Sequence, residues 1–109
     1  DILGEVTSVY FFGTPRIYRK KIGVFDPALF DEFAAFYIGR FHALCLALEA
    51  AAAERKVRVY FPSTVFVAER PKGMAEYAMT KAAAEVLIDD LNRTLRNVEI
   101  VCTRLPRLD

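Results

Sequence analysis

The chain has 109 residues, a length that holds one small domain and not two. Hydrophobic residues make up 54% of it, nine Phe and five Tyr among them, more apolar material than a lone small domain needs. The expectation is therefore a piece that packs against the rest of a larger domain or a partner chain. A net charge of +1 argues against a dedicated nucleic-acid binder.

Val6-Thr7-Ser8-Val9-Tyr10-Phe11-Phe12 is β-branched and aromatic, and Gly13-Thr14-Pro15 closes it, which predicts a buried strand. A basic connection with four cations, Arg16 to Lys21, follows and reads as solvated. Asp26-Pro27 starts a helix, since Asp suits the N-cap and Pro the first helical position. Phe30, Phe33, Tyr37, Phe41, Leu44 and Leu48 recur at three- and four-residue spacing, and the helix is expected to reach about Arg55. Ala35, Ile38, Ala43, Leu46 and Ala50 make its opposite side apolar too, so it needs cover on both. Residues 33–53 pass a first test for a membrane span, but Arg40, His42 and Glu49 make a buried helix of a soluble protein the better reading.

Val57 to Phe61 reads as the second strand, with Pro62 ending its pairing and residues 63–72 as loop. Gly73 precedes a second helix over residues 74–95, stopped by Asn97. Val98 to Cys102 is the third strand, and Arg104-Leu105-Pro106 leads out of it. Strand, helix, strand, helix, strand with right-handed crossovers gives an α/β fold: about three parallel strands with two long helices on one face. The sheet's other face would be bare, which again points to a fragment, as does a chain that begins without Met and opens almost at once on a strand. Cys45 and Cys102 lie in apolar runs and read as reduced core residues. With no leader of basic then apolar residues, the expected location is cytoplasmic.

Tyr77 and Lys81 stand four residues apart at the start of the second helix, and Ser63-Thr64 closes the strand before it. A phenol, an ammonium one turn away and a hydroxyl at a strand end suit reversible proton transfer at a carbonyl or alcohol. The ammonium would favour the phenolate, and the hydroxyl would donate to a substrate oxygen as charge develops there. The Tyr–Lys spacing alone is equally satisfied by an exposed Tyr with Lys81 paired to Glu85. His42 reads as a satisfied core or interface residue, Asp89-Asp90 as a solvated helix face, and no cluster has metal-ligand spacing.

The strand, the hydroxyl pair, the helix register and the closing strand together resemble the short-chain dehydrogenase/reductase superfamily over nearly the whole chain. The resemblance implies residues 1–109 are a single partial NAD(P)-binding Rossmann-like domain, the second half of that fold, lacking the glycine-rich half. It implies Tyr77 and Lys81 as the catalytic pair, with Thr64 in the serine position and Ser63 as its fallback. Gly13 and Thr14 would line the cofactor ribose, Tyr77 and Lys81 would also touch the cofactor, and Pro106 would lie beside the nicotinamide of NAD or NADP. The family's two long helices often form a dimer interface, so a homodimer and a small-molecule substrate are expected, with no nucleic acid and no membrane.

Three features depart from the pattern. The Gly residues at 4, 13, 23, 39 and 73 form no phosphate-cradling run. Tyr37 stands where the family has a helical asparagine that assists a proton relay. Arg107 follows Pro106 where many members carry Gly. Lys81-Ala82-Ala83-Ala84-Glu85 with Ser63-Thr64-Val65-Phe66-Val67 is similar to extended, nucleotide-sugar epimerase-like members, whereas the short Thr64-to-Tyr77 gap is more like the simple reductases; the balance leans to an extended or atypical member. The expected activity is that of an NAD(P)-dependent oxidoreductase or epimerase, the fragment alone being inactive. The alternative is a non-catalytic Rossmann-derived module for assembly or ligand sensing.

Overall fold

A computed structural model of the chain describes residues 7–11, 25–69 and 72–106. Strand β1 (Thr7–Tyr10) is followed by α1 (Pro27–Ala34), a π-helical segment (Ala35–Arg40) and α2 (Phe41–Ala51), which form one unbroken helix. Then come β2 (Val57–Thr64), a short α3 (Phe66–Glu69), α4 (Ala75–Thr94) and β3 (Val98–Leu105). The sheet is parallel with order β1-β2-β3. This is the α/β arrangement expected from the sequence, a partial Rossmann-like sheet.

The alternation of β2 and β3 sets which face is dry. Val57, Val59, Phe61, Val98 and Ile100 are buried in one core with Phe41 and Cys45 of α2 and Ala84, Ile88 and Leu91 of α4. The other face carries the Arg58–Glu99 ion pair (2.9 Å) and a stacked Tyr10–Tyr60 pair, with Tyr10 57% exposed. Among the described residues nothing covers that face.

The first helix keeps Phe33, Tyr37, Phe41 and Cys45 on its inner side. Residues four apart drift about 40° per step around an ordinary α-helix, because a turn holds only 3.6 residues. The wider i→i+5 turn of residues 35–40 takes up part of that drift, so Tyr37 and Phe41 stay in one column. The helix stops at Ala51 rather than near Arg55. Ala53 (φ 48°) and Glu54 (φ 74°) are left-handed, and that reversal sends the chain into β2. Pro27–Ala51 is long and apolar enough by composition to cross a membrane, yet its inner side lies on the sheet core.

Pro62 does not end β2. Toward β3 the pairing runs on to Thr64↔Leu105. Toward β1 the described pairs stop at Tyr10↔Tyr60, with Phe11 N–H donating to the Tyr60 carbonyl (2.9 Å). A prolyl nitrogen has no hydrogen to give, and here it faces the β1 side, past the last described pair, so the pairing with β3 continues unaffected. β3 also continues three residues past its expected end.

Two carboxylates fix element starts. Glu76 of α4, buried, accepts from Asp26 N–H (2.5 Å), while Asp26 caps α1 by accepting from Ala28 and Leu29 N–H. At the other end of the sheet, Glu49 of α2 accepts from the N–H groups of Arg96, Asn97 and Val98 (3.2, 2.9 and 3.1 Å). The Asn97 N–H contributes most to holding the Glu49 carboxyl below its ordinary value.

A group whose folded pKa is depressed adds stability above its unfolded pKa and loses it as pH falls through the folded one. Glu49→Gln is therefore expected to lower the thermal midpoint at pH 7. The deficit should shrink only as pH falls through the depressed folded pKa, below the ordinary carboxylate range, where the native carboxyl itself takes up a proton. Melting curves of both proteins across that range check it.

Candidate active site

The carboxyl ends of β2 and β3 carry the residues that the sequence singled out. Tyr77 is the third residue of α4, in the first turn after Gly73, whose φ of 85° only glycine takes without strain. Its half-buried ring meets Phe33, Tyr37 and Phe66 edge-on at 5.7, 5.9 and 6.2 Å between centroids. Among the described residues nothing hydrogen-bonds its phenolic oxygen. Burial pushes its pKa above the ordinary value, the opposite of the phenolate-favouring effect expected of Lys81.

Lys81 lies one turn further on and is buried at 3% exposure. Its ammonium does not pair with Glu85, and it lies 5.6 Å from the Tyr77 ring centroid. It donates to the Pro62 carbonyl at 2.5 Å. Tyr60 directs its carbonyl toward β1, so Pro62, two residues on, directs its own the same way, beyond the last described pair of that ladder. Among the described residues the Lys81 ammonium is the donor to that carbonyl. Loss of water around Lys81 lowers its pKa to about 8, against a smaller upward pull from Cys102 and Glu85.

The two hydroxyls differ. Ser63, on the helix-facing side, donates to Glu85 Oε2 (2.5 Å). Glu85 also grips the Arg104 guanidinium at 3.0 and 2.9 Å, and that contact is the main reason its carboxyl is held below the ordinary range. Thr64 Oγ1 instead accepts from Phe66 N–H (3.2 Å), which leaves its own proton available to donate. Val65 N–H donates to the Leu105 carbonyl (3.1 Å), placing exposed Pro106 beside the turn that follows Thr64. The structure thus brings Tyr77, Lys81, Ser63, Thr64 and Pro106 to one end of the sheet. Gly13 and Thr14 lie outside the described residues, as does the basic connection.

Several participants escaped the sequence reading. The Glu85–Ser63–Arg104 cluster joins residues 22 and 19 apart along the chain, and no local spacing announces it. Glu76, next to Tyr77, is a buried anchor for α1, not a surface charge. Cys45 is a core thiol as expected, raised by burial to about 11, but Cys102 is exposed. His42 is exposed and no part of the core. Asp89 and Asp90 are exposed as expected, with Asp89 paired to Arg93 (3.0 Å). Among the described residues no group of metal-ligating side chains assembles.

No family model and no curated protein matches the chain. A solved structure does: a short-chain dehydrogenase/reductase from Burkholderia vietnamiensis, with a TM-score of 0.75 and 22% identity, covering 95% of this chain and 49% of that one. The chain therefore spans about half the length of the structure it matches and shares the fold of that part.

Burying an ammonium costs stability. The folded ammonium loses its proton near pH 8 and the unfolded one near 10.5. Between those values the unfolded chain holds more protons, so native stability rises with pH across the window. Lys81→Met should stabilise the fold at pH 7 by up to about 3 kcal/mol. The advantage should vanish by about pH 10.5. Thermal melts at both ends of the window measure it.

Proposed function

We propose that the chain is the catalytic half of an NAD(P)-dependent oxidoreductase or epimerase of the short-chain dehydrogenase/reductase type, acting on a small carbonyl or alcohol substrate. The observation that carries this reading is the buried Lys81 ammonium, one helical turn from Tyr77 and bonded to the strand that ends in Ser63 and Thr64. The residues present fit the nicotinamide end of a dinucleotide: a phenol, a hydroxyl with a free proton, an ammonium and Pro106, grouped at the carboxyl ends of parallel strands. A pyrophosphate cradle is not among them. When bound, the dinucleotide supplies the hydride acceptor or donor.

The chain's own residues move the proton. Thr64 donates its hydroxyl hydrogen to the substrate oxygen. Tyr77, kept protonated at neutral pH by burial, gives its phenolic proton to that oxygen as a carbonyl is reduced and takes it back in the reverse direction. Lys81 supplies positive charge beside the phenol and a donor for a ribose hydroxyl. Residues 63–67 and 81–85 favour the extended, epimerase-like branch of the family.

A non-catalytic module is the second reading. It is favoured by the present aim of Lys81 at a main-chain carbonyl and by the Tyr37 side chain at the asparagine position. Dinucleotide binding by fluorescence, on this chain and on a longer one, separates the two: binding by neither supports the module.

Tyr77→Phe in the full chain should abolish turnover while leaving cofactor affinity nearly intact. With Tyr77 as the acid, reduction should show no loss from this group between pH 6 and 9, whereas oxidation should accelerate with pH as the phenolate fraction grows. Steady-state rates in both directions and a cofactor titration check this, and normal turnover by the variant would end the assignment.

The same reading includes a homodimer through the long helices. Ala35, Gly39, Ala43, Leu46 and Ala47 are exposed along the first helix, and α4 exposes Met79 and Val86 at 48% and 66%. Such an apolar outer side suits a second copy meeting it about a twofold axis. Leu46→Glu should shift the protein to monomer in sedimentation velocity, with little change in its circular dichroism.

A further inference from the structure

Three rings surround the Lys81 ammonium. The Tyr37 centroid is 4.1 Å from Nζ, Phe61 4.6 Å and Tyr77 5.6 Å. The nearest of the three does not come from the helix or strand that carries the reacting hydroxyls. It comes from the π-helical segment, on the other long helix. Tyr37 is 1% exposed and packed edge-on against Phe36, Phe61 and Tyr77, and stacked on Phe33, so its ring is held on several sides.

A cation within about 6 Å of a ring face is attracted by the ring quadrupole, more so where water is excluded. The Pro62 carbonyl holds Nζ from one direction and the Tyr37 ring from another. The lysine side chain is otherwise a flexible stem with four rotatable carbons, and an unaided ammonium would leave an apolar pocket for water.

We infer that Tyr37 is a positioning residue of the site: its ring face, not an amide, holds the Lys81 ammonium at the end of β2, one turn from Tyr77. The inference rests on the reading of Tyr77 and Lys81 as the reacting pair, and it gives a role to the side chain that departs from the family pattern. The ring carries the effect, so phenylalanine should serve in its place. Leucine, of similar hydrophobicity and without a quadrupole, should not. Of the other titratable neighbours of the ammonium, Glu85 and Cys102 lie on its own helix and on β3 and are untouched by either change, while the Tyr77 ring packs on Tyr37 and meets a ring edge in the phenylalanine variant as in the native protein.

The test is NMR of the full chain labelled with 13C at lysine Cε, together with steady-state kinetics. In the native protein the Lys81 Hε signals should lie upfield of every exposed lysine, because the methylene next to Nζ shares the ring's shielding cone. Tyr37→Phe should keep that shift and keep kcat within about threefold. Tyr37→Leu should return the signals toward the ordinary position, lower the Lys81 pKa by about one more, and reduce kcat about tenfold, with KM for the dinucleotide less affected. Ordinary Hε shifts in the native protein would overturn the inference before any variant is made. So would a Tyr37→Phe variant as impaired as Tyr37→Leu, or unchanged Lys81 signals in Tyr37→Leu. The spectroscopic arm reads the cage whether or not the protein turns over. A failure of the catalytic reading, seen in Tyr77→Phe, is therefore distinct from a failure of this one.

Discussion

A positive charge has been taken out of water at the rim of a sheet, and much of the rest of the structure follows from keeping it there. An unpaired ammonium in such a place would lose its proton or leave. Lys81 does neither because two independent features converge on it. The Pro62 carbonyl, past the last described pair of the β1–β2 ladder, accepts from it. The aromatic cluster then presents ring faces in place of solvent. Had the first helix been a plain α-helix throughout, the Tyr37 column would have drifted off the strand.

The scaffold around the charge is tied by carboxylates at backbone donors rather than by ion pairs on the surface. Glu76 joins the start of α4 to the start of α1, directly beside Tyr77. Glu49 joins the end of α2 to the entry of β3 at the far end of the sheet. Each satisfies N–H groups that have no partner within their own element. Together they hold the two long helices at both ends, and α4 cannot shift without disturbing α1. The surface pairs Arg58–Glu99 and Arg93–Asp89 contribute far less, being solvated and screened.

Much of this was readable from residues alone, for definite reasons. The bounds of α4 were visible because Gly73 needs a left-handed backbone and the pattern after it is long. The parallel order followed from alternating elements and the handedness of crossovers. The column Phe33, Tyr37, Phe41 was visible in its spacing, but the π turn was not, since four-residue steps also occur in ordinary helices. The length of β2 was misjudged at Pro62, because a missing N–H affects only the ladder it faces, and β3 pairs on the opposite side. The destination of Lys81 was hidden too: Glu85, at the favoured i+4 position, is claimed by Ser63 and by Arg104 of a strand reached only through the fold. Local spacing offers candidate partners, and tertiary competition decides among them.

The reversal at Ala53 and Glu54 bears on how this molecule could tolerate change. Two successive residues with side chains sit in a backbone region that costs each of them about 1–2 kcal/mol relative to glycine. That strain lies at the amino end of the strands, a full strand length from Tyr77 and Lys81. Robustness can therefore be adjusted at one pole of the sheet while the chemistry at the other is left alone. A lineage whose buried ammonium weakens the fold has, in that corner, somewhere to recover what it loses.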